Sequence, residues 1–141
     1  MQRLVCAVIL DDKCRFLILK RRLKWKGWEF VKGHIEGESM RKAILREIRE
    51  EIGIKKAVII TRLPKDVTYS YFDGKEKIKV VQSGFIVKYS GGKIRISNEH
   101  SQYRWMDFKT AMKKLTHKSH LDFLKMANRH VKEMERKMRK A

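Results

Sequence analysis

Glu47, Glu50 and Glu51 stand at i, i+3 and i+4. On a helix they share one face, spread over roughly 100°. Like charges at this spacing repel by about a few tenths of a kcal/mol per pair. Two arrangements would relieve that repulsion. One is a divalent cation: Mg²⁺ takes carboxylate oxygen and water and completes its shell with substrate phosphate. Glu36 and Glu38, just upstream, are placed to fold back and add ligands. The other is a solvated acidic face neutralised by Arg46 and Arg49.

The elements that must position these acids are legible. Ser39 is a good helix N-cap and Gly53 a good stop. Between them Ile44, Ile48 and Ile52, with Leu45 beside them, predict one apolar stripe. The acids lie at its edge. Before the helix, the apolar run 4–10 and its partner 15–20 read as antiparallel strands joined by a "DDKC" turn. After it, segments 57–63, 66–72 and 78–89 read as strands, with "DGKE" as a hairpin turn. Residues 103–108 read as a short strand entering a helix. A long helix is expected from about Ser119, with Leu121, Leu124, Val131, Met134 and Met138 on its apolar face and a basic end, "ERKMRK".

The 141 residues suit a single domain spanning 1–141. No apolar run approaches the ~20 residues that cross a bilayer, and the opening "MQRLVCAVIL" reads as a buried strand rather than a signal peptide. Two cysteines make a disulfide framework a poor expectation, so a cytoplasmic protein with reduced thiols is expected. Lys and Arg number 35 against 16 Asp and Glu, a formal net charge of +19. Such a surface attracts polyanions, nucleotides and RNA among them, without naming one.

From Gly33 the chain reads "GHIEGESMRKAILREIREEIGI". This string resembles the Nudix hydrolase signature. Glu38, Arg46, Glu47, Ile48, Glu50, Glu51, Gly53 and Ile54 fill its places in register. One residue is missing between Gly33 and Glu38, so the loop half is shorter than the family pattern. The resemblance implies an α+β fold, an α/β/α sandwich with a mixed β-sheet between helices. It also implies hydrolysis of a nucleoside polyphosphate with Mg²⁺ or Mn²⁺. Glu47 and Glu51 would be metal ligands, Glu50 a ligand or base, Glu38 a further ligand, and Arg46 the residue that orients the acids.

The flanks narrow the group. "WEFVKGHIE" resembles the lead-in of diadenosine tetraphosphate hydrolases, with Val31 where that group usually has proline. "NEHSQYRWMDFKTA" resembles a second motif of the same group, matched at Glu99, His100, Trp105 and Ala111. The resemblance implies that Lys32, Gly33 and His34 touch the polyphosphate and that Glu99 is a ligand or general base from a separate loop. Lys77 and Lys79 fall where the group has a phosphate-binding lysine, and Tyr69, Tyr71 or Tyr103 would stack on adenine. The expected reaction is cleavage of diadenosine tetraphosphate to ATP and AMP. Alternatives are an enzyme acting on RNA 5′ ends, which the basic charge favours, and a non-catalytic Nudix-fold binding module.

Overall fold

The computed structural model describes residues 1–140. Its elements in chain order are β1 (Gln2–Leu10), β2 (Phe16–Arg21), β3 (Gly27–Glu29), β4 (Val31–His34), α1 (Met40–Ile52), β5 (Ala57–Arg62), β6 (Val67–Asp73), β7 (Glu76–Tyr89), β8 (His100–Met106), α2 (Phe108–Lys114) and α3 (Lys118–Lys140). The sheet runs β3-β2-β1-β7-β5, with β4 also on β1, β6 on β7 and β8 on β2. β1 and β7 are parallel, Gln2 opposite Val80 through Leu10 opposite Lys88, while the other pairings are antiparallel. This is the expected mixed sheet between helices.

The apolar run in β1 is continuous because both its faces are covered. Cys6, Val8 and Leu10 turn to one side and meet Phe123, Leu124 and Ala127 of α3 and Ala111 of α2. Val5, Ala7 and Ile9 turn to the other and meet Ala43, Ile44, Ile48 and Ile52 of α1. Strand alternation thus splits one run between two cores. Each buried Ile or Leu contributes about 1.5–3 kcal/mol relative to exposure. Gly84 permits the α3 contact: a Cβ there would lie 2.7 Å from Phe123 and 2.9 Å from Leu63.

α1 begins and ends where expected. The Ser39 hydroxyl accepts from the Lys42 N–H, and Gly53 adopts φ 70° while its N–H donates to the Arg49 carbonyl. Leu45 departs from the expected stripe. It is 37% exposed, because one residue after Ile44 lies about 100° round the helix. In α3, Phe123 and Ala127 join the core. Residues 132–140 are all exposed, so Met134 and Met138 lie outside the core that their spacing suggested.

β3 and β4 are strands in a segment to which the sequence pattern assigns no element. Both are short, and β4 is held through backbone pairing of Val31–His34 with Leu4–Ala7. This pairing positions the site. Val31 is buried in the α1 core, so by alternation Gly33 also turns towards α1, while Lys32 and His34 turn the other way.

Candidate active site

The carboxylates of α1 are arranged around Arg46. Its Nε donates to Glu38 Oε2 at 3.0 Å, and its Nη2 donates to Glu38 Oε1 and to the His34 carbonyl, each at 2.8 Å. Nη1 donates to Glu47 Oε1 at 2.9 Å and Glu50 Oε2 at 3.2 Å. One planar fork therefore ties the loop, β4 and two acids together. Glu38 also accepts the Glu36 N–H. Arg46 and this N–H hold the Glu38 carboxyl down at about 2.

Glu47 occupies a different environment. Burial pushes its carboxyl up to about 7, with Glu50 and Glu51 adding to the rise and Arg46 opposing it. It sits tight against β4: a Cβ on Gly33 would fall 2.0 Å from the Glu47 carboxyl carbon. Any side chain at this position would push the Glu47 carboxylate aside.

Glu51 is met by the loop that leads into β8. The Arg95 and Ser97 N–H groups donate to the carbonyls of Ile52 and Glu51. The Ser97 hydroxyl reaches Glu51 Oε2 at 3.5 Å. This docking brings in Glu99, whose carboxylate faces Arg21 at 3.7 Å. Single donor atoms of Glu51, Glu99 and His100 lie within 4.8 Å of one another.

A cavity of about 280 Å³ joins these groups. Glu36, Glu47, Glu50, Glu51 and Glu99 line it with Arg21, Lys24, Lys32 and His34 as its basic members, and Leu4 and Gly33 complete it. The structure thus brings together Lys32, Gly33, His34, Glu47, Glu50, Glu51 and Glu99 from the expected set, with Arg46 bonded to the acids. Glu38 lies outside the lining and faces Arg46. Lys77, Lys79 and Tyr71 lie on the β6–β7 hairpin, where Tyr71 pairs with Ile78. Tyr103 of β8 pairs with Leu19 of β2. These four are outside the lining as well. Tyr69 borders a separate cavity of about 360 Å³ with His117 and Asp122. Arg21 and Lys24 were not foreseen. Their position in "KRRLKWKG", a run with many cations, carries no mark that would single them out.

The donor set fits a hard divalent cation. It consists of clustered carboxylate oxygens, one of them on the buried Glu47, and their mutual repulsion is what a cation relieves. His100 fits less well as a ligand. Its Nε2 is 2.8 Å from Glu29 Oε2 and its Nδ1 is 3.0 Å from Glu51 Oε2. A carboxylate lies within ion-pair distance of each nitrogen, which favours a doubly protonated ring with no free lone pair. Burial opposes that charge, but Glu29 and Glu51 outweigh it and raise the imidazole to about 9.

The NUDIX domain family matches residues 1–127. The chain belongs to the Nudix family. An RNA pyrophosphohydrolase of Campylobacter jejuni subsp. doylei is 30% identical over 128 residues, covering 80% of this chain and 81% of the relative. Among solved structures, a MutT protein from Methanosarcina mazei Go1 superposes with TM-score 0.76 at 26% identity, covering 93% of this chain and 95% of that one. A C. elegans Ap4A hydrolase binary complex gives TM-score 0.73 at 21% identity, covering 94% and 99%; at that identity the likeness is one of fold. As a Nudix protein, the chain is a hydrolase of nucleoside polyphosphates, of a family that generally uses divalent metals, and its acidic cluster suits one.

Proposed function

We propose that this Nudix protein hydrolyses diadenosine tetraphosphate to ATP and AMP with Mg²⁺ or Mn²⁺. The observation that carries the reading is the single cavity in which Lys32 and His34 meet Glu47, Glu50, Glu51 and Glu99. A polyphosphate needs cations along its length and a metal at the bond that breaks.

Glu47, Glu51 and Glu99 are the carboxylates that would hold the ion, with Glu50 as a further ligand or the base. A bound Mg²⁺ or Mn²⁺ would supply charge neutralisation at phosphate oxygens and a more acidic water. The protein's own groups do the rest. Glu50 or Glu99 accepts the proton of the attacking water. Lys32 and His34 hold the phosphate chain, and Gly33 lets the chain and Glu47 approach β4. Arg46 orients Glu47 and Glu50, and Glu38 in turn holds Arg46. Lys77, Lys79, Tyr71 and Tyr103 are proposed as contacts for parts of the substrate that extend beyond the cavity.

A second reading is removal of pyrophosphate from RNA 5′ ends. The Campylobacter relative carries that activity in its name, and the net charge of +19 suits a long polyanion.

The test is product analysis by anion exchange after incubation with diadenosine tetraphosphate or 5′-triphosphorylated RNA, with Mg²⁺ and with chelator. Metal-dependent ATP plus AMP supports the first reading. Pyrophosphate release from RNA with the dinucleotide left intact replaces it with the second. Affinity for RNA should then fall steeply with salt, whereas a small nucleotide gives a shallower slope.

A further inference from the structure

Glu29 is 1% exposed and lies outside the cavity lining. Four cationic or ionisable groups surround it. Its Oε2 accepts from Arg21 Nη1 at 3.2 Å and lies 2.8 Å from His100 Nε2. Its Oε1 has Lys32 Nζ at 3.7 Å and His117 Nε2 at 3.8 Å. A carboxylate buried this deeply is costly unless its charge is matched, and here it is matched by Arg21, Lys32 and His100, of which Arg21 and Lys32 line the cavity and His100 faces Glu51.

The shortest of these links runs through His100, whose Nδ1 meets Glu51 as an ion-pair contact rather than an aligned hydrogen bond. Its second nitrogen lies 3.0 Å from Glu51 Oε2, and Ser97 Oγ reaches that same oxygen. Both contacts fall on Glu51 Oε2. Arg21 makes a second link: the Nη1 that bonds Glu29 also faces Glu99 Oε2 at 3.7 Å. One buried acid therefore stands behind the two carboxylates that approach each other from α1 and from the β8 loop.

We propose that Glu29 is a positioning residue: through His100 it fixes the orientation of Glu51, and through Arg21 it restrains Glu99, so that the two present oxygens to one cation. This rests on the reading of Glu51 and Glu99 as metal-holding carboxylates. Losing a partner that orients a metal-holding side chain typically weakens metal affinity by about 10–100-fold.

A purely structural Glu29 would instead neutralise buried cations and leave the metal affinity alone. The two roles separate in a calorimetric titration with Mn²⁺ alone, without substrate, on the full chain. Glu29→Gln and His100→Gln should each weaken Mn²⁺ binding by about tenfold or more. The double variant should bind no more weakly than the weaker single one, because both substitutions interrupt one chain. Folded variants with Mn²⁺ affinity within twofold of wild type would overturn the proposal, as would single effects that multiply in the double variant. Should Glu29→Gln fail to fold, His100→Gln alone decides by the same criterion. A wild-type protein that binds no Mn²⁺ would sink the metal reading itself. Wild-type binding with unaffected variants would remove Glu29's role and leave that reading standing.

Discussion

Gly33 and Glu47 are in contact across the β4–α1 boundary, with no room between them for a methyl group: a Cβ at 33 would lie 2.0 Å from both the carboxyl carbon and Oε1 of Glu47. The atoms in the way are the end of a flexible side chain, so the carboxylate must give way and disturb its bond from Arg46. Gly33→Ala should therefore displace Glu47 rather than unfold the protein. A misplacement of about 1 Å near the reacting groups costs on the order of 10²-fold in rate. Initial rates beside a thermal melt check this. A melting temperature near wild type with turnover reduced by about that factor is expected; normal turnover would show that Glu47's position is immaterial.

Arg46 bonds Glu38, Glu47, Glu50 and the His34 carbonyl at once. A lysine can supply the charge but not the planar fork that makes these contacts simultaneously. Arg46→Lys should keep the fold, lower kcat and weaken Mn²⁺ binding, the latter by about tenfold on the precedent of other outer-shell partners of metal ligands. Steady-state rates and Mn²⁺ calorimetry test the two parts separately. Full activity in Arg46→Lys would mean that charge alone suffices and that the fork has no orienting role.

The contrast between α1 and the Glu29 cluster explains what could be read from sequence. α1 carries its own signals within one segment: Ser39 to cap it, Gly53 to stop it, and an Ile44–Ile48–Ile52 stripe that buries one face. Glu47, Glu50 and Glu51 were legible with it because helical spacing is local. The pairing of Glu29 with His100 is not local. Glu29 lies opposite Leu19 and His100 opposite Arg21, so the two meet only because β3 and β8 flank β2 from either side. No spacing in the chain encodes that meeting. The short β4 was missed for a related reason: "VKGH" has no apolar alternation, and its strand character comes from its partner β1. The resemblance to a known family supplied Lys32, His34 and Glu99, which line the cavity. It also supplied Lys77 and Lys79, which lie on a hairpin away from it.

His120 gives the protein a built-in acid sensitivity. It is fully buried, and its Nδ1 accepts the Phe30 N–H at 3.1 Å, so the ring is neutral with its proton on Nε2. Burial, helped by His117 and Lys32, pushes the imidazole down to about 3. The unfolded chain takes up this proton near the ordinary value of about 6.5. Between those two values the unfolded state binds more protons, so stability falls as pH falls. The slope is about 1.4 kcal/mol per pH unit well below 6.5, and the loss ends near 3, where the folded ring protonates too. Urea melts of wild type and His120→Asn at pH 7 and pH 5 measure this. The variant should lose about 2 kcal/mol less than wild type over that interval; equal losses would show that His120 is not the sensitive group.

Glu50 separates chemistry from structure most cleanly among the α1 acids. Its side chain is 55% exposed, and its pair with Arg46 spans i to i+4 on the helix surface. Such pairs contribute at most about 1 kcal/mol, so Glu50→Gln should unfold at nearly the wild-type denaturant midpoint. The amide keeps the size and hydrogen-bonding reach of the acid but cannot accept a proton from water. If Glu50 is the base, turnover should drop by about 10²–10⁴-fold with substrate affinity little changed. If it is a ligand instead, Mn²⁺ affinity should fall along with the rate. Rate measurements at saturating metal tell these apart, since excess Mn²⁺ restores a ligand variant but not one that lacks its base. Wild-type turnover in Glu50→Gln would remove it from the chemistry and leave Glu99, the acid brought in by the β8 loop, as the remaining candidate for proton removal.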